Sequence, residues 1–94
     1  MKARTDVLVE IRSAVETLLK NAAEFKDRFR KDPINWGDLH CTEVLYCLDD
    51  EGHERYQVHI AECDPACGEL KRYIIESLQS HYDENDEFEV ITEW

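Results

Sequence analysis

The segment His59-x3-Cys63-x3-Cys67 holds the sharpest chemical pattern in the chain, one histidine and two cysteines repeating at every fourth position. Imidazoles and thiolates are the ligands of a tetrahedral zinc site. This segment can supply three of them, with His40 or Cys41 as a fourth. The spacing argues against that use. The common zinc knuckle places two residues between its cysteines, and here there are three; no second cysteine pair repeats the pattern. Cys67 also falls on the apolar stripe of an expected helix, where a free cysteine packs as a small hydrophobe. The residues therefore favour core cysteines with no metal and no cofactor. A small zinc-binding module on His59, Cys63 and Cys67 stands as an alternative.

Thiol chemistry is the next possibility for the same residues. Cys67 is expected in the first turn of a helix, whose positive dipole end favours a thiolate, and Cys63 is close enough to resolve it. Yet Cys63-Asp-Pro-Ala-Cys67 is not a Cys-x-x-Cys motif, and Glu62 and Asp64 oppose negative charge on sulfur. The acidic run Asp49-Asp50-Glu51 lacks the length and ligand spacing of an EF-hand loop and reads as a solvated turn. Gly37, Gly52 and Gly68 stand alone, so no phosphate-cradling loop is formed. No Ser/His/Asp arrangement has the turn context that nucleophilic catalysis needs. No catalytic residue is assigned, and enzyme activity is not expected.

The elements that must position these residues follow from periodicity. Leu8, Ile11, Val15, Leu18, Ala22, Phe25 and Phe29 recur at alternating steps of three and four, which predicts one amphipathic helix over residues 5–31. Thr5 is its expected N-cap, and Asp32-Pro33 its stop. Residues 41–48 and 54–62 alternate as strands around a hairpin loop at 49–52, where Gly52 can take positive φ. Tyr56, Val58 and Ile60 point one way, while Arg55, Gln57 and His59 point the other. Asp64-Pro65 is expected to open a second helix with Cys67, Leu70, Ile74 and Leu78 inward. Residues 80–86 are a polar break, and 88–94 a last strand. The fold class is α+β: a single domain over 1–94, in the order α-β-β-α-β. It is a two-layer α/β sandwich with both helices on one face of a three-stranded sheet and a right-handed crossover between strands two and three.

Charge divides the chain. Residues 1–33 hold eight Lys or Arg against six Asp or Glu, a net of +2; residues 34–94 hold three against sixteen, a net of −13. An acidic ββαβ body argues against holding a nucleic-acid backbone and for contact with proteins. No stretch has the roughly 20 apolar residues of a membrane span. The first residues run directly into charged helix without a signal-type apolar block, so a cytoplasmic location is expected, with the four cysteines reduced.

A helix of residues 5–31 is about 40 Å long, more than a body of this size can cover. Its uncovered stripe predicts a homodimer, with Leu8 and Ile11 at one end or Phe25 and Phe29 at the other as contacts. The sequence thus reads as a small non-enzymatic protein-interaction or regulatory module acting as a homodimer. The alternative is an acidic ligand or inhibitor of a basic protein surface, such as an immunity-type protein or a nucleic-acid mimic.

Overall fold

The computed structural model describes residues 4–82 and 86–94. Its elements are α1 (Arg4–Glu24), a short 3-10 helix (Lys26–Phe29), β1 (His40–Leu48), β2 (Glu54–Ala61), α2 (Gly68–His81) and β3 (Glu87–Glu93). The order is the expected α-β-β-α-β, and the helices pack on the sheet. Residues 83–85 of the expected polar break lie outside the described residues.

β2 is the central strand, antiparallel to β1 and parallel to β3. Val44, Val58 and Val90 share one row of the register. The alternation in sequence becomes an alternation of faces. Tyr56, Val58 and Ile60 are buried with Ile11, Val15 and Leu19 of α1 and Leu70, Ile74 and Leu78 of α2 in one cluster. The hairpin closes on Asp49, whose Oδ1 accepts the backbone N–H groups of Glu51 at 2.9 Å and His53 at 2.8 Å. The His53 hydrogen bond holds the Asp49 carboxyl below its ordinary range. Gly52, at φ 84°, supplies the left-handed residue of the turn.

The first helix is shorter than its periodicity predicts. It is already under way at Arg4, so Thr5 lies within it, and it ends at Glu24. Phe25 then leaves helical geometry at φ −124°, ψ 45°, before the 3-10 turn. A straight rod through residue 31, about 40 Å long, would exceed the 38 Å longest dimension of the molecule. The tighter turn rotates Phe29 into the core, where its ring centroid lies 6.0 Å from Trp36 and 5.6 Å from Tyr73. Phe25 is left 64% exposed.

The second helix also starts later than expected. Asp64 caps a turn, accepting the Ala66 N–H at 2.8 Å, and Cys67 takes the N-cap position of α2. The cap itself comes from a distant residue: Asp32 Oδ2 accepts the Leu70 N–H at 2.8 Å. A carboxylate there also meets the positive end of the helix dipole. Asp32→Ala is expected to cost about 1 kcal/mol in urea denaturation, with Asp32→Asn retaining most of it.

Candidate functional site: the open face of the sheet

Both helices cover one face of the sheet, so alternation leaves the other face without a second layer. Its rows are set by the register. Cys47, Arg55 and Glu87 form one; Leu45, Gln57 and Glu89 the next; Glu43, His59 and Ile91 the third. Ala61 pairs with Glu93 beyond them. A bulge between Cys41 and Glu43 bends β1 beside this last stretch.

Half-buried Gln57 and His59 hold the centre of the face, with apolar side chains on the flanking strands and carboxylates among them. Leu45 is 38% exposed, and Ile91 and Ala61 are half-buried. Around them stand Glu43, Glu87, Glu89 and Glu93. Arg55 is the one Lys or Arg in these rows, and it is shared between Glu87 at 3.6 Å and Glu89 at 3.8 Å. Gln57 donates to Glu89 at 3.2 Å. Glu43 and Glu93 have no ion-pair partner among the described residues. Between Glu43 and Ile91, His59 keeps a buried Nε2 without a hydrogen-bond partner among the described residues. A buried polar atom left unpaired costs free energy that a hydrogen-bonding ligand would recover.

The structure separates the three residues of the alternative zinc reading. Cys63 and Cys67 are joined to each other as a disulfide, with Cα atoms 6.6 Å apart, and both are fully buried. His59 faces the opposite side of the sheet, because strand alternation sends it away from Ile60 and the core. Among the described residues no three His, Cys, Asp or Glu side chains converge as a metal site. The expectation of reduced cysteines is thus corrected at one pair: the turn at 64–67 folds Cys67 back onto Cys63. Cys41 and Cys47 are free thiols. Burial pushes the Cys41 thiol up to about 11, and the neighbouring Glu16 carboxylate adds to this.

Of the four expected contact residues on the first helix, Ile11 and Phe29 are fully buried in the chain's own core. Leu8 packs half-buried against that core, and Phe25 projects outward. Two residues of structural consequence escaped the periodicity. Arg4 lies 3.6 Å over the Tyr46 ring and donates to the Tyr56 hydroxyl at 3.2 Å, closing α1 over the end of the sheet. Asp64 holds the end of β3, its carbonyl accepting from Thr92 at 2.8 Å and its Oδ2 from the Trp94 indole at 3.1 Å. Nothing in the local sequence points to the contacts of Arg4, and Asp64, expected to open the second helix, is taken up by β3 instead.

Among the described residues no helix is long and apolar enough to cross a membrane. Compared with protein-family models, with curated proteins and with solved structures, the chain matches none.

Proposed function

We propose that this chain is a non-enzymatic protein-interaction module that engages a basic protein surface through the open face of its sheet. The observation that carries the reading is the composition of that face. Apolar Leu45 and Ile91, on the two outer strands, flank half-buried Gln57 and His59 and stand among Glu43, Glu87, Glu89 and Glu93, against Arg55 as the one Lys or Arg in these rows. A partly apolar patch interleaved with polar and charged groups suits a protein interface. Rim carboxylates speed encounter with a cationic partner and reject an anionic one. The −13 balance of residues 34–94 extends the same field over the body.

A peptide alternating arginine and valine is the probe. It is expected to shift the amide resonances of Glu43, Gln57, His59, Glu89 and Ile91. Joint Glu43→Lys and Glu93→Lys substitution should weaken it at least tenfold, about 1.4 kcal/mol, without changing the melting temperature. Added salt should weaken it too. Shifts confined to the helices, or affinity indifferent to charge reversal, would overturn the reading. A homodimer through the first helix is the second reading, favoured by the exposure of Phe25. A dimer in sedimentation that Phe25→Glu dissociates, with the open-face resonances unmoved, would favour it instead.

A further inference from the structure

We propose that Cys63 and Cys67 form a reversible redox site, exchanging with small-molecule thiols and disulfides, whose state sets how firmly the start of α2 is tied to the end of β3.

The two residues are four apart in sequence, fully buried, and have Cα atoms 6.6 Å apart. That separation lies inside the range a disulfide spans. The same site also suits the reduced pair. Cys67 Sγ lies 3.2 Å from the carbonyl oxygen of Pro33. A thiol there donates its S–H to that oxygen; a disulfide sulfur has no hydrogen to give. Each covalent state therefore has its own partner within one arrangement of the backbone, and neither leaves a buried ionised group. The other two cysteines lack this. Cys41 is buried with its Sγ turned to the Glu43 carbonyl, and Cys47 is half-buried on the open face.

The pair sits where four segments meet. Cys63 donates its N–H to the Glu93 carbonyl at 3.1 Å, and Asp64 donates to Pro33 at 3.0 Å. Asn35 donates to the Glu62 carbonyl at 2.9 Å. Thr92 and Trp94 both bond to Asp64, and Cys67 begins α2. A covalent link between 63 and 67 ties the end of β2 and β3 to the first turn of α2. Without it, the turn over exposed Pro65 and Ala66 is held by hydrogen bonds alone.

Oxidation balances against a low-molecular-weight disulfide of the glutathione class. One cysteine thiolate attacks a sulfur of the small disulfide, whose S–S bond breaks and releases one small thiolate. The second cysteine, after losing its proton, attacks the protein sulfur of the mixed disulfide. The Cys63–Cys67 bond forms, and a second small thiolate leaves. The two thiolates take up the two protons, so the protein gives up two electrons and two protons in all. Reduction is the reverse, with two small thiols as donors. Because neither sulfur is exposed, exchange waits on opening of the turn at 62–67. Glu62 is held there at φ 70°, a left-handed conformation that non-glycine residues seldom adopt.

The test uses the wild-type chain equilibrated in glutathione mixtures of increasing oxidation, quenched in acid, alkylated after unfolding and mapped by mass. A single two-electron transition is expected at Cys63 and Cys67, with Cys41 and Cys47 alkylated throughout. The oxidised form should melt about 10 °C above the reduced one. Amide exchange at Leu70 and Thr92 should quicken on reduction, and Cys63→Ser should abolish the transition. Three results would overturn the proposal: thiols at Cys63 and Cys67 at every poise, a bond that native protein keeps in excess dithiothreitol, or equal melting and exchange in the two forms.

Discussion

Val58→Asp is expected to unfold the domain, and His59→Asp to leave it folded. Val58 is fully buried at the middle of the central strand, paired with Val44 on one side and Val90 on the other. Its side chain lies in the cluster that both helices close. A carboxylate there must be buried without a partner or bring in a proton, and either costs several kcal/mol. Small domains have only about 5–15 kcal/mol of stability, so the substitution removes much or all of it. His59 is the next residue, yet it stands on the open face between Glu43 and Ile91. An aspartate there adds repulsion with Glu43, about 1 kcal/mol or less on a wet sheet face. Circular dichroism melts of the two variants decide the matter. Equal loss in both would mean that the register of β2 is wrong.

Phe29→Ala is expected to cost about 3–5 kcal/mol, and Phe25→Ala less than about 0.5 kcal/mol. The contrast rests on the end of α1. Were the helix continuous, these residues would share one stripe and one environment. In the structure Phe29 is 1% exposed, between Trp36 and Tyr73, while Phe25 is 64% exposed. Urea denaturation of the two variants reads the difference directly. Similar losses in both would restore the straight helix and put Phe25 back into a packed interface.

How much of this was legible depended on whether the cause was local. The strands were readable because alternation is a property of neighbours: Arg55 to Ile60 says which face is buried before any partner is known. The break at Phe25 was not. No glycine or proline marks it, and the repeat runs on through Phe29. The pull comes from Trp36 and Tyr73, which the sequence places in other elements. The cap of α2 was hidden for the same reason, since Asp32 stands 38 positions before Leu70. Asp64-Pro65 reads as a helix start, but Asp64 instead caps a turn and bonds to Thr92 and Trp94, and the helix begins at Gly68. The spacing of the cysteine trio argued against a metal site, but where the three residues would go was not legible: alternation along β2 sends His59 to the open face, and the turn at 64–67 brings the two sulfurs together in the core. The open face itself was legible as polar; its orphaned His59 nitrogen was not.

A three-stranded sheet has two free edges, and each invites strand addition by another copy. At β1, side chains of α1 occupy part of that edge: Glu16 accepts the Cys41 N–H at 2.8 Å, and Arg12 donates to the Cys41 carbonyl at 3.4 Å. At β3 the protection is electrostatic. Glu87, Glu89 and Glu93 all lie on one side of that strand. A second β3 laid alongside would stand about 4.8 Å away, bringing these rows of carboxylates together. Their mutual repulsion keeps the edge from templating fibrous growth. Resistance to aggregation in this molecule is therefore tied to acidity, and it fades as pH falls toward the isoelectric point near 4.6, where net repulsion between copies is also lost.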